Sequence, residues 1–331
     1  MFIPPLFFAA VISFLLSAFV IPRWIERSKQ HGLLVTDVQK LPNRKIPFLA
    51  GLGVVFSAVV GILGYIAIQT FLFNESANTT VLLAAIASLL IALVIGVVDD
   101  LLGEKIGLTQ IQKPLLSIVA ALPISVINAG RNVMTLPILG KIQLGNAYPF
   151  AIVPLAITGA ANGFNMLAGL NGLEAGMGLI ILSALGYYSL AMTEYAAAVI
   201  AYCAVFAIAP FFYYNKYPAR ILPGNGFTYS IGAIIAIVAI LADAERTALL
   251  LFTPYFIELM LKARGRFKKE SLAVPLPDGS IKNQYAKWYS LNHVAISFLR
   301  EIKGKAYEWE ACFALLGFEL IIALIAIWPH I

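Results

Sequence analysis

The length of the apolar runs limits this chain more than any other feature. Stretches at roughly 2–22, 48–73, 80–98, 114–129, 148–164, 175–193, 195–213, 226–243, 246–262 and 308–328 are dominated by aliphatic and aromatic residues. A helix rises 1.5 Å per residue, so about 20 residues cross a hydrocarbon core of about 30 Å. Within lipid, every backbone N–H and C=O must be satisfied inside the protein, and for runs of this length the helix does so. Of the 331 residues, 60% are hydrophobic and only 12% are charged. A soluble domain carries roughly twice that charged share. The expectation is an all-α, polytopic membrane protein of about ten transmembrane helices, formed by residues 1–331 as a single transmembrane domain.

Charge sets the orientation. Arg23, Arg27, Lys29, Lys40, Arg44 and Lys45 crowd the first loop, and Lys262, Arg264, Arg266, Lys268 and Lys269 crowd a late one. The positive-inside rule puts both in the cytoplasm. Alternation then makes 23–47, 99–113, 165–174, 214–225 and 263–307 cytoplasmic and both termini external. Orientation accounts for most of the net charge of +6, and no nucleic-acid partner is expected. The first run is not a cleavable signal, since no basic residues precede it and no small-x-small site follows it. Cys203 and Cys312 sit inside apolar runs, so no disulfide framework is expected. The external segment 130–147 alternates around Leu139-Gly140-Lys141, as a small hairpin would.

Polar residues gather at the expected cytoplasmic edge. Asp99 and Asp100 close the third run, and Lys113 opens the fourth. Acids at a membrane edge are expensive unless solvated or paired, so they point to a site; the plainer reading is a solvated helix end. Asn162 and Asn165 are spaced i, i+3 and share a helix face. Asn171 follows a glycine break, and Asn225 lies in "NKYPARILPGNGFTY". Single asparagines knit helices together in lipid, but several among glycines fit that role poorly. Carboxylate and amide oxygens suit Mg²⁺, which usually bridges to substrate phosphate. Lysine and arginine suit phosphate oxygens. His31, His293 and His330 are scattered, which argues against zinc. The pattern points to a magnesium enzyme acting on a phosphorylated substrate. A transporter is the competing class, but its polar residues would lie near the bilayer midplane.

The segments "RKIPFLAGLGVVF", "GVVDDLLG" with "GLTQIQK", "NGFNMLAGLNGLEAGMG" and "NKYPARILPGNGFTY" span most of the chain. Through them it resembles the polyprenyl-phosphate N-acetylhexosamine-1-phosphate transferases (glycosyltransferase family 4), and within them the archaeal and eukaryotic dolichol branch. The bacterial branch usually has Asp where Asn171 stands. The resemblance implies transfer of GlcNAc-1-phosphate from UDP-GlcNAc to a polyprenyl (dolichyl) phosphate, releasing UMP. It implies Mg²⁺ as cofactor and a lipid bilayer as surroundings, and it leaves a homodimer open. By that resemblance Asp99 and Asp100 match the acidic pair, Asn165 a magnesium ligand and Lys113 a phosphate-contacting lysine. Gly169 and Asn171 match positions that hold the uracil. Asn162 and Lys45 are further candidates.

Two departures stand out. The family's "GD", whose Asp is a second magnesium ligand, reads Gly224-Asn225 here; an amide keeps the oxygen but drops a charge. An "HRIPR"-like run of the dolichol branch reads "SLAVPLPDG", with Ala273 and Leu276 where arginines are expected. Lys268 and Lys269, just upstream, are the expected substitutes for phosphate binding. These departures keep two alternatives open: another UDP-sugar donor, or a weakly active or non-catalytic relative. With no long insertions, the chain is expected in an archaeal cell membrane rather than an endoplasmic reticulum.

Overall fold

The computed structural model describes residues 3–130, 133–136 and 140–328, and in it the apolar runs are helices. In chain order the elements are α1 (Ile3–Gln30), β1 (Leu34–Asp37), β2 (Arg44–Pro47), α2 (Ala50–Leu72), α3 (Thr79–Ile106) and α4 (Gln112–Val126). There follow β3 (Val133–Leu136), β4 (Gly140–Gln143), α5 (Val153–Met166), α6 (Leu173–Ala191), α7 (Tyr195–Asn215) and α8 (Asn225–Leu241). The chain ends in α9 (Glu245–Leu251), α10 (Thr253–Arg264), β5 (Ala273–Pro275), β6 (Ile281–Asn283), α11 (Leu291–Lys303) and α12 (Glu308–Ile327). Among the described residues, α1, α2, α3, α6, α7 and α12 are long and apolar enough to cross a membrane, and α4 and α8 are shorter apolar helices. The fold is an all-α polytopic membrane protein, as expected.

Each expected span falls on helix, with three differences that have physical causes. Helix α1 runs past the expected end at 22 to Gln30, because a drop in hydropathy does not stop a helix. For the same reason α3 continues through Asp99 and Asp100, and its helical geometry breaks at Gly103, where φ is +64°. The expected span 246–262 is two helices that meet at Phe252. Pro254, in the first turn of α10, has no N–H to continue the preceding ladder.

Among the described residues, three two-stranded antiparallel hairpins decorate the bundle: β1–β2, β3–β4 and β5–β6. The pair Leu136↔Gly140 closes β3–β4; Leu139, at the expected tip, lies outside the described residues.

Helix α8 is the hub. Every residue from Gly226 to Ile240 is buried, and α2, α3, α5, α6 and α7 pack around it. Such close packing needs backbone near backbone. A methyl group on Gly96 of α3 would lie 2.4 Å from the Asn225 carbonyl oxygen, so only glycine fits there. Large apolar side chains such as Phe14, Phe71, Val94 and Phe313 face outward, as lipid contact requires.

The loops that alternation assigns to one side do meet at one end. Leu222 N–H donates to the Pro47 carbonyl at 2.9 Å. Asn171 joins the first loop through Lys40 and the 214–225 loop through Ala219. Gln39 joins both the Gly169 turn and β5. At the other end, the Tyr148 hydroxyl donates to Glu245 Oε1 at 2.7 Å.

Candidate active site

Asp99 and Asp100 are sequence neighbours with different duties. Both oxygens of Asp100 accept backbone N–H groups from the first turn of α8: Oδ1 from Asn225 at 2.9 Å and Oδ2 from Gly226 at 3.2 Å. A helix start offers unpaired donors and a positive partial charge, so the carboxylate suits it. Gly224 makes the approach possible. Its φ is +75°, and a Cβ there would sit 2.6 Å from Asp100 Oδ2.

Asp99 instead is held mainly by side chains. Its Oδ2 accepts from Lys113 Nζ at 2.8 Å and from Asn225 Nδ2 at 2.8 Å, while Oδ1 accepts from the Leu108 N–H at 2.9 Å. The carboxylate therefore ties α3 to α4, to α8 and to the loop after Gly103. Asn225 is the first residue of α8 and Gly224 is its cap, so the Asn225 side chain is not spent on capping.

Asn165 Oδ1 accepts the Thr228 hydroxyl at 2.7 Å, which faces it toward α8. Its helix neighbour Asn162 turns to α4, donating to the Ser117 hydroxyl at 3.2 Å and to the Thr158 carbonyl at 2.8 Å. Asn162 is thus engaged in holding α5 to α4. The oxygens this junction offers a cation are those of Asp99, Asn165 and Asn225. All are hard donors, and among the described residues no group of three His, Cys, Asp or Glu is placed to hold a metal ion. That set fits Mg²⁺ completing its shell with phosphate and water, and does not fit zinc.

The second part of the site is the turn at Gly169–Asn171. Gly169 has φ +107°, a conformation that side chains rarely adopt. Its N–H donates to Glu174 Oε1 at 3.1 Å, and its carbonyl accepts from Gln39 Nε2. Asn171 is buried. Its Oδ1 accepts from Lys40 Nζ at 2.6 Å and from the Ala219 N–H at 2.9 Å, and its N–H donates to Glu308 Oε1 at 2.7 Å. Lys40 also pairs with Asp37 at 2.6 Å and Glu308 at 3.0 Å. A cavity of about 220 Å³ opens beside Asn171, lined among others by Phe212, Lys216, Tyr217 and Trp309.

Sequence reasoning singled out neither Gln39 nor the Asp37–Lys40–Glu308 cluster. A signal existed: Glu308 stands at the start of an apolar run, as Asp99 stands at the end of one. The remaining candidates lie on the surface. Lys45 is exposed on β2, its backbone paired with Thr36. Lys268 is exposed, and Lys269 places Nζ 4.9 Å from the centre of the Tyr285 ring. Among the described residues no contact joins these three lysines to the acid pair or to the Gly169 turn.

A membrane-crossing bundle that gathers carboxylates, amides and lysines from six helices and the loops between them at one end is an integral membrane protein with a built polar site. The chain belongs to glycosyl transferase family 4, whose family model matches residues 79–243. It is 34% identical, over 96% of its length and 94% of the relative's, to a protein of Saccharolobus solfataricus. That relative is named provisionally as a UDP-N-acetylglucosamine–dolichyl-phosphate N-acetylglucosaminephosphotransferase. It is 32% identical, over 90% of its length and 88% of the relative's, to a Sulfolobus acidocaldarius protein with the same provisional name. A Dictyostelium discoideum enzyme named for that activity is 26% identical over 92% of this chain and 83% of its own.

Proposed function

We propose that this protein transfers GlcNAc-1-phosphate from UDP-GlcNAc to a polyprenyl, dolichyl-type phosphate, in a cell membrane and at its cytoplasmic face. The observation that carries this reading is the Asp99–Lys113–Asn225 junction beside Asn165, in a chain whose relatives are named for that reaction. An acceptor phosphate oxygen forms a bond to the sugar-bearing phosphorus of the donor. The bond from that phosphorus to the oxygen bridging toward the nucleoside breaks, and UMP leaves. Lys113 supplies positive charge for phosphate oxygens. Asp99 is the carboxylate whose side-chain partners a substrate can displace, so it takes a proton from an acceptor that arrives singly charged. Asp100, held by two backbone N–H groups, positions the start of α8. Asn165, Asn225 and Asp99 would hold Mg²⁺. That ion supplies charge stabilisation for the leaving phosphate. Gly169 and Asn171 take the uracil end of the donor. The lipid acceptor explains the embedding, because its phosphate meets a soluble donor only at the interface.

A second reading, transfer from another UDP-sugar, draws on Ala273 and Leu276. Labelled UDP-GlcNAc, incubated with purified protein and a polyprenyl phosphate, tests both. Label passing into the lipid phase with release of UMP is the expected result. Turnover only with a different UDP-sugar would favour the second reading, and binding without turnover would remove both.

A further inference from the structure

We propose that Gln39 and Asn292 are positioning residues: two buried amides that hold the Ala168–Gly169 turn in the shape that receives the uridine end of the donor. The proposal rests on the reading of Gly169 and Asn171 as the nucleotide side of the site.

Two successive carbonyls of that turn are each gripped by a side chain from elsewhere in the chain. Gln39, 3% exposed, stands between β1 and β2; its Nε2 donates to the Gly169 carbonyl and its Oε1 accepts from the Ala273 N–H at 3.0 Å. Asn292, fully buried in the first turn of α11, directs Nδ2 to the Ala168 carbonyl at 3.0 Å and to the Ser271 carbonyl at 3.4 Å. Each amide therefore links the turn to the strand segment 271–273. That segment closes over the turn: a Cβ on Gly169 would stand 3.2 Å from Leu272 Cδ2.

Other groups also dock the segment. His293 accepts the Tyr289 N–H at Nδ1, so its Nε2 carries the proton and faces the Leu272 carbonyl at 3.4 Å. Burial lowers the His293 pKa, which keeps the ring neutral for that bond. Glu258 Oε2, from α10, receives the Leu291 N–H at 2.7 Å and the Ser290 hydroxyl at 3.1 Å, fixing the start of α11. What the amides add is the grip on 168 and 169.

A turn held in its bound shape spares the ligand the entropy of ordering it. Loosening it should therefore weaken donor binding selectively. Gln39→Leu and Asn292→Leu should each raise KM for UDP-GlcNAc by about tenfold, the loss expected when a binding loop must be ordered by its ligand. KM for polyprenyl phosphate should stay put and kcat should change little. Gln39→Glu is the sharper variant. It keeps the acceptor for the Ala273 N–H and loses the donor to Gly169, so the same rise should appear per folded protein, alongside a lower thermal midpoint because a carboxylate replaces a buried amide. UMP binding to full-length protein in nanodiscs, measured by calorimetry, should weaken in parallel. Native turnover with an unchanged donor KM in Gln39→Glu would overturn the clamp while leaving the transferase reading intact. A fall in kcat and thermal midpoint at constant KM would also overturn it, as a merely structural role. Wild-type protein that neither turns over UDP-GlcNAc nor binds UMP would remove both readings together.

Discussion

Around the acid pair four helices meet, and Asp99, unlike Asp100, is answered mainly by side chains: Lys113 and Asn225 both reach its Oδ2. At the Gly169 turn loops meet, and side chains answer backbone: Gln39, Asn292, Glu174 and Glu308 each hold a carbonyl or an N–H of residues 168–171. The first arrangement can change partners without moving the main chain, because a phosphate competes with Asp99 for Lys113. The second resists rearrangement, since losing one side chain leaves a buried peptide group unsatisfied. One region is thus suited to chemistry and the other to recognition.

Substitutions can break this contrast. Lys40 holds Asp37, Glu308 and Asn171 together in a buried setting. Lys40→Met strands two carboxylates, and loss of one partner from a buried ion pair costs about 3–5 kcal/mol. The thermal midpoint in detergent should fall steeply, and an unchanged midpoint would show that the recognition side is not the rigid half. Asp99→Asn should cut turnover per folded protein by at least about a hundredfold, as loss of a base or key charge does, beyond any stability lost with the Lys113 pair. Near-normal rates would move the chemistry elsewhere.

Milder changes sharpen it. Asp100→Ala removes the acceptor for two N–H groups of α8; lost caps cost about 0.5–2 kcal/mol, so the melting temperature should drop. Asp100→Asn, which keeps an oxygen, should recover part of that drop, and equal melting in both variants would deny the capping role. The smallest effect is expected at Asn225. Asn225→Asp should lower the Mg²⁺ concentration for half-maximal activity by a few-fold, roughly what one added charge contributes, while Asn225→Ala and Asn165→Ala raise it. A midpoint unmoved in all three would take Asn225 and Asn165 out of the proposed cation site.

The acid pair was legible in the sequence because two carboxylates closing a long apolar run are costly there unless solvated or paired. The five loops of one face were legible because basic residues sort them, and hydrogen bonds do join all five. The division of labour between Asp99 and Asp100 was not legible. It depends on the start of α8, far away in sequence, and on Gly224 letting that backbone come close. Lys40 was hidden for the opposite reason: a lysine in a basic loop already has an explanation, and nothing local reveals Asn171 and Glu308 as its partners. Gln39 is uncharged in a polar loop and Asn292 is uncharged in the first turn of α11, so neither their chemistry nor their periodicity sets them apart.

The burial of α8 bears on how the molecule is assembled. From Gly226 to Ile240 it presents no side to lipid, so its final surroundings exist only once its neighbouring helices are in place. In membranes, helices insert first and associate afterwards. The partners of Asp100 and Asn165, and the Asn225 amide that reaches Asp99, all come from α8. A half-packed intermediate therefore holds the carboxylates without the groups that orient them. The polar junction is finished by the same packing event that encloses α8, which makes catalytic competence a late readout of complete assembly.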